Sequence, residues 1–262
     1  MKHILLSLIL GFTIFLTNQG QSQNSQTPDS NCDYGKISES FVRNLMEGKE
    51  VSEQIEIFAD ATVNDLARQL KTDMQKRAFW MNVYNGYIQY YLNKNPGLYK
   101  NRGAFFGTER MVIAGRIMSF DDIEHGIIRG SRVKITLGYT KKMFVSSYER
   151  RLRVGGKDGR IHFSLNCGAK SCPPVAIFRA EDVDRQMDIL SQNYLNVFAN
   201  YSKKENKVYT PALMSWFRAD FGGIKGVKKF LKQYSIVPKD SGPEIEFTKY
   251  DWTLYLGNYS DI

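Results

Sequence analysis

The chain has 262 residues, 42% of them hydrophobic and 13% aromatic, with 36 Lys and Arg against 27 Asp and Glu and a formal net charge of +9. That length and apolar content suit one large globular domain, and no stretch beyond the N-terminus is apolar and long enough to exclude the aqueous reading in favour of a membrane span. The basic residues are spread along the chain, as in Arg150-Arg151-Leu152-Arg153 and again over 225–232, which reads as a solvated basic surface and not as a nucleic-acid footprint.

Residues 1–22 read as a secretory signal. Lys2 and His3 give a short basic start, Ile4 to Leu16 an apolar run too short to span a bilayer, and Gly20-Gln21-Ser22 small residues for cleavage before Gln23. No cysteine stands at that point to carry a lipid; an uncleaved interfacial anchor is the alternative. The expected location is therefore secreted or periplasmic, in the cell envelope. Residues 23–35 form a polar linker, and 36–262 a single globular domain.

Helical spacing begins with Phe41 and Leu45 and continues through Ile55, Phe58, Val63, Leu66 and Leu70. The clearest helix covers about 72–94, where Trp80, Tyr84, Tyr87, Ile88 and Tyr91 recur at helical spacing and Asn95-Pro96-Gly97 ends the run. Its other face carries Asn82, Asn85 and Gln89, amides that need partners if the helix is buried. Residues 105–118 predict short strands turning at Gly107 and Gly115. Ser119 then predicts a helix N-cap, with Asp121 and Asp122 in the first turn and Glu124, His125 and Arg129 along the helix.

A β region is expected next, with strands at 132–137, 143–148 and 152–154 and a hairpin turn at Asp158-Gly159. A strand from Arg160 to Asn166 would place His162, Ser164 and Asn166 on one face. Helices are predicted at about 181–199, from Pro211, and at 225–234, and a closing strand over 245–256. The class is α+β, with helices flanking a central, mainly antiparallel sheet.

Titratable and soft-ligand chemistry is scarce: three His and three Cys in all. With His3 in the signal, His125 and His162 remain. Cys167 and Cys172 fall in one short run with His162, and Cys32 lies in the polar linker.

Four stretches carry a family resemblance. Phe79-Trp80-Met81-Asn82-Val83-Tyr84-Asn85, Asp122-Ile123-Glu124-His125-Gly126-Ile127-Ile128-Arg129, the run from His162 through Cys167-Gly168-Ala169-Lys170-Ser171-Cys172-Pro173-Pro174, and Tyr250-Asp251-Trp252 resemble the domain of unknown function 547 family, in its order and over about residues 65–256. The resemblance implies a secreted or envelope protein of bacteria and lends no reaction. It also implies a likeness to the papain and transglutaminase-like cysteine hydrolases, although His precedes Cys here.

Several chemistries compete for these residues. A cysteine nucleophile needs a neighbour that lowers its pKa and a group that orients that neighbour. Cys172, in an irregular Ser-Cys-Pro-Pro loop, is favoured slightly over Cys167, which strand alternation would turn away from His162. His162 or His125 would be the general base, Glu124 an orienter, Asn82 or Asn85 an oxyanion or amide-positioning group, and Arg129 a carboxylate clamp. A Cys167–Cys172 disulfide would close a small loop. Redox catalysis lacks the Cys-x-x-Cys spacing, and the two His are not in a paired motif for zinc. No cofactor and no metal is implied. The expected function is a cysteine-dependent hydrolase or amide/acyl transferase on an envelope peptide or peptidoglycan-like substrate. The alternative is a non-enzymatic envelope binding module for a peptide, glycan or protein ligand, with a structural Cys/His cluster and aromatic groove residues such as Phe79-Trp80, Phe105-Phe106 and Trp216-Phe217. Oligomeric state is not legible.

Overall fold

The structure, a computed structural model, describes residues 32–262. The expected signal and most of the expected linker lie outside the described residues. Three helices, α1 (Tyr34–Met46), α2 (Ser52–Asp60) and α3 (Val63–Gln69), lead into α4 (Asp73–Lys94). Helix α4 starts at a capping box in which Thr72 accepts from the Gln75 backbone and the Gln75 side chain reaches back. Every side chain from Ala78 to Gln89 is buried, so α4 is the axis of the core and not a surface helix.

Helix α1 crosses α4 at Gly86, where a Cβ would lie 2.4 Å from Phe41 Cε1. The missing side chain is what lets the two helices approach. The amides on α4 clamp distant backbone. Asn82 donates to Phe178 O at 2.8 Å and accepts from Phe178 N at 2.8 Å. Asn85 donates to Ser164 O at 2.9 Å and accepts from Asn166 N at 2.8 Å. Gln89 donates to Asn166 Oδ1 and accepts from Gly257 N.

After α5 (Arg102–Gly107), the strands β1 (Met111–Ile113) and β2 (Arg116–Met118) form an antiparallel pair that turns at Gly115, φ +72°. Residues Asp122–Ile128 form a π-helical turn, with Arg129 N donating to Glu124 O at 2.9 Å. The widened turn is a local departure from α geometry of a kind that often accompanies functional sites. None of the strands expected at 132–137, 143–148 and 152–154 forms: a short 3-10 turn, Lys134–Thr136, takes the first, residues 143–146 are irregular, and α6 (Ser147–Leu152) runs from the second into the third. The expected strand over 160–166 is likewise replaced, by a 3-10 turn at Gly159–Phe163 capped by Asp158.

Helix α7 (Val183–Phe198) precedes β3 (Asn200–Ser202) and β4 (Lys207–Thr210). Helices α8 (Leu213–Trp216) and α9 (Gly223–Gln233) and strand β5 (Glu244–Phe247) follow. Strand β4 pairs antiparallel with β3 and parallel with β5. The class is α+β, with its strands gathered in these two small sheets. No described helix is long and apolar enough to cross a membrane.

Two apolar clusters result. The larger is built on α1, α2 and α4; the smaller joins Phe163, Tyr194, Val208, Met214, Val227 and Leu231. The C-terminal tail returns across the Cys-rich loop: Lys170 N donates to Thr253 O at 2.7 Å and Tyr255 N to Gly168 O at 2.8 Å. This pairing carries Tyr250 and Trp252 to the site.

Candidate active site

A cavity of about 410 Å³ opens where the two clusters meet. Helix α4 supplies Tyr84, and the start of the π-helical turn supplies Asp121, Glu124 and His125. His162 and Cys167 come from the 3-10 turn and the loop after it, Trp216 and Phe217 from the end of α8, and Tyr250 and Trp252 from the tail. Much of the wall is aromatic; the charged and titratable groups sit together on part of it.

Behind that wall lies a buried ionic network. Asp220 Oδ2 accepts from Arg129 Nε at 2.7 Å and from His162 Nε2 at 2.9 Å. Burial would raise the Asp220 carboxyl, but the hydrogen bond from His162 and the charges of His162 and Arg129 outweigh it and hold it below the usual range. Asp220 is therefore ionised and fixes the His162 proton on Nε2, leaving Nδ1 as the lone-pair nitrogen. Burial lowers the His162 pKa and Asp220 partly restores it. The imidazole stacks face to face on Phe217, centroids 3.7 Å apart. Gly138, φ +83°, closes over the ion pair: a Cβ there would lie 2.4 Å from Arg129 Nη2 and 2.9 Å from Asp220 Oδ1.

His125 is the opposite tautomeric case. Arg129 Nη1 lies 2.9 Å from Nδ1, and because a guanidinium can only donate, Nδ1 accepts and the proton resides on Nε2. Burial and the adjacent Arg129 charge push the His125 pKa down to about 3. It is a neutral hydrogen-bond donor on the cavity wall, not a base.

The two cysteines are free thiols with distinct surroundings. Cys172 is buried, and its sulfur accepts from Cys167 N at 2.9 Å. Cys167 is half-buried and lines the cavity. The hydrogen bond from Cys172 lowers the Cys167 pKa against burial, helped by Tyr250 and the Ala169 N–H. Burial pushes the Cys172 thiol up, and its hydrogen bond to Cys167 reinforces that. Tyr250 Oη lies 3.4 Å from Cys167 Sγ and 3.1 Å from Cys172 Sγ. Its own pKa is raised by burial and then by both sulfurs, so it stays a donor.

Of the residues singled out from sequence, Glu124, His125, His162 and Cys167 meet at this cavity. Cys172 touches it only through Cys167 and Tyr250. Asn82, Asn85 and Arg129 do not line it: Asn85 is spent on backbone, Asn82 on backbone and the Ser38 hydroxyl, and Arg129 on Asp220 and His125. Glu124 accepts from Tyr84 Oη at 3.2 Å; its Oε1 is 3.6 Å from His125 Nδ1, whose lone pair already faces Arg129, so it does not orient that ring. Neither sulfur makes a hydrogen bond to either imidazole; each is bonded to Tyr250 instead. Asp220 and the Tyr250 hydroxyl were not picked out from sequence. Asp220 offers no local signal, as its partners are 58 and 91 residues away; Tyr250 stood inside a recognised motif with no role attached.

Among the described residues, no group of three or more His, Cys, Asp or Glu side chains is arranged to hold a metal ion. No curated protein and no solved structure matches the chain. A family model does match, over a segment that holds α4, the π-helical turn, His162 and both cysteines but stops short of Asp220 and Tyr250. By that match, residues 67–195 belong to the family described as "Protein of unknown function, DUF547".

Proposed function

We propose that this protein is a cysteine-dependent hydrolase or amide/acyl transferase with Cys167 as nucleophile. The observation that carries the reading is the shared cavity: a thiol lowered by its neighbours and a His162 imidazole tied to a buried, ionised Asp220 line the same space. The Cys167 proton passes to His162 Nδ1. The sulfur attacks the substrate carbonyl carbon, the bond to the leaving amine or alcohol breaks, and the imidazolium returns the proton to it. Water or an acceptor amine then attacks the thioester carbonyl and gives its proton to His162; the C–S bond breaks, and the imidazolium returns that proton to the departing Cys167 sulfur. Cys167 and His162 are not in hydrogen-bond contact, so this transfer runs through the substrate or one water. His125 Nε2–H would donate to the developing oxyanion, a role suited to an imidazole that stays neutral.

The proposed setting is the cell envelope, supported by the signal-like residues 1–22, and the substrate an envelope peptide or peptidoglycan-like amide. The test is alkylation of the reduced protein with iodoacetamide at pH 6, mapped by peptide mass, beside hydrolysis of p-nitrophenyl acetate. Cys167 should label before Cys172, and Cys167→Ala should abolish the ester burst. Preferential labelling of Cys172, or a burst that survives Cys167→Ala, refutes the assignment. One observation favours a second reading, a binding module with a structural Cys/His cluster: both sulfurs bond to Tyr250 and none to an imidazole. A Cys167 that stays inert until the protein is denatured selects it.

A further inference from the structure

We infer that the cavity recognises a cationic nitrogen, a primary ammonium carried on an apolar body, with Glu124 as its counter-ion. The inference deepens the reading above, in that it rests on this cavity being the ligand site, whether or not Cys167 reacts.

The cavity's charges do not balance. Asp121 is paired with Lys134 at 2.7 Å. Asp220 is paired with Arg129 behind the wall. Glu124 is left with one neutral donor, Tyr84 Oη at 3.2 Å. Its other oxygen lies 3.6 Å from His125 Nδ1, and that atom carries no proton because it accepts from Arg129. A carboxylate with its side chain 14% exposed thus faces the cavity with no cation beside it, in a protein whose formal charge is +9. Burying a carboxylate this far without a cation is costly, and a ligand ammonium would supply what the chain does not.

The walls fit the same ligand. Tyr84, Phe106, Trp216, Phe217, Tyr250 and Trp252 line the space. Trp216 and Trp252 stack with centroids 5.6 Å apart, and Tyr250 packs 4.7 Å from Trp252. Electron-rich aromatic faces around a carboxylate attract ammonium groups and offer little to an anion. The one Lys or Arg among the described lining residues, Lys134, already spends its ammonium on both Asp121 oxygens. The substrate class is therefore a peptide-like amide or ester that presents a free amine near its scissile carbonyl.

The experiment uses the Cys167→Ala protein, so that binding is read without chemistry, and follows Trp fluorescence and calorimetry at pH 7. The probes are 2-phenylethylamine, 2-phenylethanol and 3-phenylpropanoate, which share a ring and differ in charge. The amine should bind about tenfold or more tighter than the alcohol, the size of one ion pair or cation–π contact inside a cavity, and the carboxylate should bind weakest. Glu124→Gln should erase the preference, and Trp252→Leu should weaken the amine while Glu124 is intact; unfolding curves identify any variant that has lost its fold. Equal binding of alcohol and amine, tighter binding of the carboxylate, no binding of the amine, or a preference that survives Glu124→Gln each overturns the inference. Iodoacetamide reactivity of Cys167 is scored separately on the unmodified protein. A reactive Cys167 without cation preference overturns this inference alone, and a cation preference beside an inert Cys167 overturns only the enzyme reading.

Discussion

Asp220 is the residue on which the polar half of the site depends, and its removal has a calculable cost. Its Oδ2 receives Arg129 Nε at 2.7 Å and His162 Nε2 at 2.9 Å, and the Arg129 and His162 side chains are each 1% exposed. Asp220→Ala would leave a guanidinium buried with no anion, which costs about 3–5 kcal/mol where one partner of a buried pair is deleted. At roughly 2–4 °C per kcal/mol for a protein of this size, the thermal midpoint should fall by about 6–20 °C. The measurement is thermal and urea unfolding at pH 7, with Asp240→Ala, an exposed carboxylate, as the control. Asp220→Asn keeps one acceptor and should lose less. The double variant Arg129→Met/Asp220→Leu removes both charges and should be more stable than Asp220→Ala alone, since no unpaired charge stays buried. NMR titration supplies a reading that a purely structural role would not move: the His162 pKa should fall further in Asp220→Asn, because Asp220 is what supports its protonated form. An Asp220→Ala midpoint indistinguishable from the Asp240→Ala control would refute the reasoning.

His125 takes a proton near about 3 when folded and near the ordinary value of 6.5 when unfolded. The unfolded chain therefore binds more protons between those values, and stability should drop by on the order of a few kcal/mol as pH falls through that window; His125→Asn, which keeps an acceptor for Arg129, should flatten this part of the curve in urea titrations. Gly86→Ala gains helix propensity of about 1 kcal/mol but drives a methyl to 2.4 Å from Phe41 Cε1. Overpacking of about 1–3 kcal/mol should leave it no more stable than the parent in urea unfolding. Asn85→Ala strands the Asn166 N–H and the Ser164 carbonyl in the core, at about 1–3 kcal/mol for each group. Because the same segment leads into Cys167, this variant should also slow iodoacetamide labelling there.

Helix α4 was legible because its pattern is long and Asn95-Pro96 ends it; the capping box of Thr72 with Gln75 that begins it emerged only from the structure. The amides on its second face announced buried partners without naming them. Those partners explain the failed strand at 160–166. Alternation marks a strand only where one face meets solvent, and Ile161 through Asn166 are all buried. The Ser164 carbonyl and the Asn166 N–H, which a strand would offer to a neighbouring strand, are taken by the Asn85 side chain. A chain whose backbone bonds are met by a helix amide has no need of a ladder. His162 and Glu124 were visible as rare or acidic residues in recognisable runs. Asp220 was not, because an aspartate between Ala219 and Phe221 is ordinary until a fold places it under an imidazole and a guanidinium.

The same misread strand decided the earlier preference between the sulfurs. Alternation turned Cys167 away from His162 only so long as a strand carried it; in the 3-10 turn and loop that exist, Cys167 faces the cavity and Cys172 lies inside the core. A nucleophile must be reachable, and a thiol that already accepts a backbone N–H at 2.9 Å in the core is not. Cys172 instead holds its proton, because burial disfavours its thiolate, and it lends that proton to Cys167 as a hydrogen bond. The spacing that looked like a disulfide thus serves a donor and an acceptor of unequal acidity. Tyr250 completes the pair from the far end of the chain, held there by the pairing of the tail with residues 168–171. Thiolate stabilisation and proton transfer are then assigned to different groups, Cys172 with Tyr250 for the first and His162 with Asp220 for the second. A site divided in this way does not require sulfur and imidazole to touch before substrate arrives.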